Sequence, residues 1–282
     1  MASSPSSSAQ AARVALAARL SHLLKDAGIN GRELSARCGW HAAKTSRILS
    51  AKAAPTDSDI RAWCAAAGAD GQAEDLIATA RAVESMYLEW RRLHRTGMRK
   101  VQEDFYKLHE QTQTCRVYVS NVVPGFFQTP GYATALMRSI TDFQGTPDDV
   151  ADAVAARVAR SRFLYEGHHR FVVLMEEWVL HSRLGGLDTM RGQLAHLLDV
   201  MPLVSVSLGI IPLTAQRTVW PLEAFYLYDD RQALVETLTA EVNLTQPREL
   251  ADYARAFTEL SKMAVYGAAA RDLITTAHDS LV

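Results

Sequence analysis

The side chains best suited to contact another molecule lie in the stretch GRELSARCGWHAAKTSRIL, residues 31–49, and just beyond it. A helix over residues 41–50 that buries Thr45 and Ile48 presents Ala42, Ala43, Ser46 and Arg47 on its opposite face, with His41 and Lys44 beside them. A guanidinium can meet a guanine edge through two parallel N–H groups, and a small side chain leaves room for a thymine methyl. His41, Ala42, Ala43, Ser46 and Arg47 are therefore candidates for reading bases. Arg32, Lys44 and Lys52 suit phosphate oxygens, contacts that position a protein without specifying sequence. The alternative for any one of them is an ordinary solvated helix surface.

Signatures of catalysis are nearly absent. The chain has no G-x-S-x-G, no Walker loop, no G-x-G-x-x-G and no H-E-x-x-H. His168-His169 falls in a polar turn, and Glu176-Glu177 are neighbours on a strand, so they point to opposite faces. Cys38, Cys64 and Cys115 are isolated, which speaks against a disulfide framework or zinc site and fits a reducing, cytoplasmic setting. No catalytic residue, metal ligand or cofactor is expected. Further along, Phe127, Gln128, Tyr132, Glu177 and Trp220 are candidates for lining a ligand or partner pocket, against the simpler reading that they are architecture.

These residues need elements to hold them. Residues 1–12 are rich in serine and read as a disordered tail, with neither the basic start nor the apolar run of a signal peptide. Apolar residues recur at helical spacing from Arg13 to Ala27, and Asn30 can cap a short helix over Gly31–Cys38. Gly39 permits a sharp reversal into a third helix, and Thr56 can cap a fourth that ends before Gly68. This is the outline of a helix-turn-helix domain over 13–69. A helical connector follows over 70–116, with one long helix expected over 72–93 and another from Met98 to about Gln113. Residues 117–282 mix short β-rich runs (171–175, 204–211, 222–228, 233–238) with helices at 131–139, 148–165, 187–199, 247–263 and 268–277. The fold class expected is an N-terminal all-α domain, a helical connector and a C-terminal α+β domain with a small mixed sheet. No stretch is long and apolar enough for a membrane span.

The net charge of −1 conceals an uneven distribution. Residues 1–67 carry nine Lys/Arg against four Asp/Glu, and residues 117–282 carry thirteen against nineteen. A basic head can approach phosphates whatever the charge of the whole chain.

Residues 31–49 resemble the helix-turn-helix of the lambda-repressor-like, xenobiotic-response-element family. Ser46-Arg47-Ile48 matches its habitual Ser-Arg-Ile, and Pro55 precedes the fourth helix as is usual there. Thr45 stands where Val or Ile is usual, Leu49 where Glu is frequent and Ala51 where Gly is frequent. The resemblance implies that the helix carrying Arg47 enters the major groove of an operator in double-stranded DNA, with two chains paired as a homodimer on two half-sites. Val123-Pro-Gly-Phe-Phe-Gln-Thr-Pro-Gly-Tyr-Ala133 resembles the VPGLLQT-x-x-YA signature of a C-terminal domain of unknown function. That domain is common in actinomycete regulators described as antitoxin-like, and Arg157-Val-Ala-Arg160 is a further echo of it. The expectation is a sequence-specific transcription regulator whose body dimerises and senses a small-molecule effector or a small companion protein. The alternatives are an antitoxin-like protein-interaction module that neutralises a small partner, or a body with cryptic hydrolase activity.

Overall fold

The structure, a computed structural model, describes residues 5–281, and the side chains of all of these except 5–11, 81–89, 91 and 92. The chain divides into two compact units, Met1–Leu88 and Glu89–Val282.

The head consists of α1 (Pro5–Asp26), α2 (Gly31–Cys38), α3 (Ala42–Leu49), α4 (Asp57–Ala66) and α5 (Ala73–Met86). Leu16, Leu20, Leu24, Leu34, Ile48, Ile60, Trp63 and Ile77 form its core. Trp63 is fully buried because its indole N–H finds the Leu20 carbonyl at 3.2 Å. Helix α1 starts at Pro5, so residues 5–12, expected as part of a disordered tail, are helical. Proline fits a first turn and the alanines that follow favour its continuation. The rest of that tail, residues 1–4, lies outside the described residues.

The long helix expected over 72–93 ends at Met86, followed by β1 (Tyr87–Glu89) and one helical turn, α6 (Trp90–Leu93). Trp90 has partners elsewhere in the chain: its backbone N–H donates to the Thr239 carbonyl at 3.0 Å and its indole to that of Thr237 at 2.8 Å. Segment 70–116 is therefore divided, α5 packing on α1 and α4 and the following helix, α7 (Arg99–Glu110), on a helix of the body.

The body continues with β2 (Thr114–Val119), a 3-10 turn (Gly125–Phe127), α8 (Pro130–Gln144), α9 (Val150–Ala159) and a second 3-10 turn (Arg160–Leu164). Then come β3 (Arg170–Glu176), α10 (Trp178–His181), α11 (Leu187–Val200), β4 (Val206–Ile211), β5 (Phe225–Tyr228), β6 (Gln232–Glu236) and β7 (Ala240–Leu244). Helices α12 (Pro247–Met263) and α13 (Gly267–Asp279) close the chain. The six body strands are ordered β7-β6-β5-β2-β3-β4, with β2, β3 and β4 parallel and the remaining pairings antiparallel. This is the expected mixed α+β architecture, with two strands, β2 and β7, that periodicity did not indicate. The helix expected over 148–165 is α9 followed by the tighter turn.

Register assigns the two faces of the sheet. Val117 lies opposite Tyr226 and Val173, and Tyr118 opposite Phe225 and Leu174. The face with Cys115, Val117, Phe171, Val173, Tyr226 and Tyr228 joins the main core with Phe126, Phe127, Leu194 and Ile274. On the other face, Phe225 meets Tyr253 and Phe257 of α12. There Tyr118 donates its hydroxyl to Glu176 Oε1 at 2.8 Å, and Arg217 clasps both oxygens of Glu176, at 2.7 and 2.5 Å. Glu176 and Glu177, expected as neighbours on one strand, separate because β3 ends at Glu176: Glu176 joins this buried cluster, and Glu177 has turned into helical backbone at the start of α10.

Candidate nucleic-acid interface

Helix α2 begins with a reciprocal cap. Asn30 Oδ1 accepts the N–H groups of Arg32 and Glu33, each at 3.0 Å, and Glu33 returns a carboxylate to the Asn30 N–H at 2.7 Å. It ends at Gly39, whose φ of 66° lies in the left-handed region. There the Trp40 N–H reaches back to the Ser35 carbonyl and that of Gly39 to Ala36. Helix α3 ends by the same device: Lys52 N–H bonds the Arg47 carbonyl and Ala51 N–H bonds that of Ile48. The left-handed residue here is Ala51, at φ 55°, which pays a steric cost that glycine avoids.

Between the two helices Ser35 Oγ and Thr45 Oγ1 lie 2.7 Å apart, both buried. Thr45, which departs from the usual Val or Ile, thus has a partner made for its hydroxyl. Helix α4 is tied to α3 by Lys44 Nζ, 2.5 Å from Asp59 Oδ1 and 4.5 Å from the centre of the Trp40 ring. Burial pushes the Asp59 carboxyl up, but the Lys44 and Thr56 hydrogen bonds outweigh it and hold it below the usual carboxylate range.

With the motif held this way, Ala42, Ala43, Ser46 and Arg47 are all exposed and Thr45 and Ile48 are buried. His41 caps α3, its Nδ1 accepting the Ala43 N–H at 3.2 Å, so the neutral ring carries its proton on Nε2. Gly31, Arg32, Ala42, Ser46, Leu49 and Ser50 line an open groove between the start of α2 and α3. Apart from Arg13 and from Lys25, an exposed cation at the end of α1, the cations of residues 1–67 fall into two groups. Arg19 and Arg61 pair with Asp75 and Glu74, Arg37 bonds the Ala66 carbonyl, and Lys44 is held by Asp59. Arg32, Arg47 and Lys52 are exposed and their side chains have no partner among the described residues.

The five pocket candidates of the body are not gathered into one site. Phe127 is core. Tyr132 is buried, its hydroxyl accepting the Val123 N–H at 3.3 Å. Glu177 accepts the Leu213 N–H at 2.7 Å, and Trp220 is largely exposed. Gln128 borders a cavity of about 180 Å³, which it shares with Arg157, Arg160, Phe105, Tyr226 and Glu236 among others. Gln128 donates to the Val123 carbonyl and accepts from Arg157 at 2.9 Å. Gln102 Oε1 accepts from both arginines, at 3.0 Å from Arg157 and 2.9 Å from Arg160. Burial and the neighbouring Arg157 pull Arg160 down to about 10, so it remains charged at neutral pH. Burial, reinforced by Arg160, pulls His109 on the same cavity down to about 3 and keeps it neutral. Sequence reasoning noted the Arg157–Arg160 spacing as a family echo without treating it as a site.

Residues 15–77 match the profile of a helix-turn-helix domain. Residues 102–276 match that of a domain of unknown function, DUF5753. The chain belongs to the DUF5753 family. Its DUF5753 region contains every residue lining the cavity and the whole sheet from β2 to β7. No curated protein matches the chain. Among solved structures it is similar to TrmBL2, an archaeal chromatin protein described as showing a novel mode of DNA binding. The identity is 12% and the TM-score 0.32, covering 85% of this chain and 88% of that one, a likeness too distant to assign fold or function. Among the described residues no helix is long and apolar enough to cross a membrane, and no cluster of metal-ligating side chains occurs.

Proposed function

We propose that the chain is a sequence-specific DNA-binding transcription regulator, with α3 in the major groove and a DUF5753 body that dimerises and responds to an effector. The observation that carries this reading is the division of the head's cations. Arg19, Arg37, Lys44 and Arg61 are used internally, whereas Arg47 on α3 and Arg32 and Lys52 at its two flanks have no side-chain partner among the described residues. Arg47 takes the base-reading role, with Ala42, Ala43 and Ser46 small enough to let the helix approach base edges and His41 at its start. Arg32 and Lys52 take phosphates. Lys44 lies beside this row and one of its donors goes to Asp59.

The test is selection of a binding site from random duplex DNA by the full chain, followed by titration of Arg47→Ala. The variant is expected to lose about 1–3 kcal/mol on the selected site and to relax preference at one base pair. An equal loss on every sequence contradicts base reading by Arg47. Absence of any selected sequence contradicts the function.

A further inference from the structure

We propose that the cavity of the body binds a small carboxylate with an apolar body. The proposal rests on the reading of this chain as an effector-responsive regulator and names the chemical class of the effector.

Four observations converge on it. First, the cavity holds two guanidinium groups whose hydrogen-bond partners are amide oxygens, Gln102 for both and Gln128 for Arg157. Neither arginine has an ion-pair partner among the described residues. Two like charges this close repel each other; their hydrogen-bond acceptors are neutral, and Glu236 attracts them without bonding to either. A bidentate anion is the group that a planar guanidinium fork accepts best.

Second, hydrogen-bonding capacity is left over. A guanidinium has five N–H donors; Arg160 uses one on Gln102, and its buried Nε has no partner. Arg160 is 5% exposed, so bulk solvent does not meet this demand. His109, 3% exposed, donates its Nδ1–H to the Phe105 carbonyl, so its unpartnered Nε2 is an acceptor and the demand for an anion comes from Arg160.

Third, the chain approaches the pair with a residue that has no side chain. A Cβ on Gly125 would lie 2.9 Å from Arg160 Nη2 and 3.7 Å from Arg157 Nε. Gly125 and Gln128 both belong to the Val123–Ala133 segment, and Arg157 and Arg160 to the other sequence echo. The two motifs, nearly thirty residues apart, meet at one wall of one cavity.

Fourth, part of the remaining lining is an apolar wall. Phe105, Phe126, Leu136, Ile140 and Leu234 face the same space, and Arg160 lies over the Phe105 ring at 5.2 Å. A volume near 180 Å³ accommodates about ten non-hydrogen atoms, too few for a folded partner or a nucleotide. An apolar body with one carboxylate matches the lining better than a bare phosphate. Glu236 is the one carboxylate in the wall, and it opposes an anion.

The experiment uses the full chain without DNA, so that it is independent of operator binding. Thermal unfolding and titration calorimetry are run with benzoate and hexanoate, with benzamide as the neutral counterpart and inorganic phosphate as the bare anion. One or both carboxylates are expected to bind saturably, one per chain, and to raise Tm, with benzamide inert. Arg157→Gln is expected to weaken binding at least tenfold. Glu236→Gln, at an exposed position that should tolerate the change, is expected to tighten it at least threefold. If Arg157→Gln fails to fold, Glu236→Gln decides alone. Binding of neither carboxylate, or binding that Glu236→Gln leaves unchanged, overturns the site. Phosphate binding more tightly than both carboxylates overturns the apolar-body assignment. A chain that binds carboxylate but selects no DNA retains the site and loses the regulator reading.

Discussion

Ser35 and Thr45 each bring one hydroxyl hydrogen to the contact between α2 and α3, and only one arrangement uses both. Ser35 Oγ donates to the Gly31 carbonyl at 2.8 Å, so Thr45 Oγ1 is the donor in the 2.7 Å bond between the hydroxyls. Ser35→Ala removes the acceptor that Thr45 needs and is expected to cost about 1–3 kcal/mol. Thr45→Val leaves Ser35 its own acceptor and should cost less than about 1 kcal/mol. A urea-unfolding double-mutant cycle reads the difference as coupling, and additive costs would show that the hydroxyls do not cooperate. Gly39 and Ala51 make a second residue-scale comparison, since both occupy the left-handed position that ends a helix. A Cβ at Gly39 meets no atom within 4 Å, so Gly39→Ala is a conformational penalty alone, about 1 kcal/mol of stability. At the interface itself, Arg32→Gln and Lys52→Gln should each reduce the slope of log affinity against log salt by about 1. If Lys44 stays with Asp59, Lys44→Gln leaves that slope unchanged.

Two of the ion pairs that join elements contain a buried carboxylate, and the two respond differently to perturbation. Lys44 and Asp59 tie α3 to α4, and the Asp59 carboxyl is held below its ordinary range. A lowered folded value means the stabilisation is present above the unfolded carboxylate pKa and is lost as pH falls through the folded one. The head should therefore lose stability below about pH 4, and Asp59→Asn should flatten that part of the profile, as followed by circular dichroism. Arg217 and Glu176 tie the loop after β4 to β3, with Glu176 only 2% exposed. Arg217→Ala strands that carboxylate and is expected to cost about 3–5 kcal/mol in chemical denaturation. Helices α2, α3, α4, α11 and α12 were legible because their signals, periodicity in all and side-chain caps in the first three, are local. Strand β2 was not, because a central strand covered on both faces shows no alternation and Arg116 interrupts its apolar run. The arginine pair was legible as a motif and illegible as a site. Its arginines are held by Gln102 on α7 and its cavity is completed by Gln128 after a 3-10 turn and two tyrosines of β5, and only the tertiary fold brings these together.

At the scale of the whole chain, the two units have separate cores, one built around Leu20, Ile48 and Trp63 and one around β2, β3 and Phe126. Calorimetry should resolve two unfolding transitions, with Gly39→Ala lowering one and Arg217→Ala the other. A single transition shifted alike by both variants would contradict that independence. A single amide oxygen, Gln102 Oε1, serves two guanidinium groups at once. Gln102→Glu changes almost nothing in shape and supplies a permanent internal counterion. Such a chain should melt at a higher temperature and gain nothing further from benzoate. It would be a receptor with its signal built in, fixed in the occupied condition by the exchange of one amide for one acid.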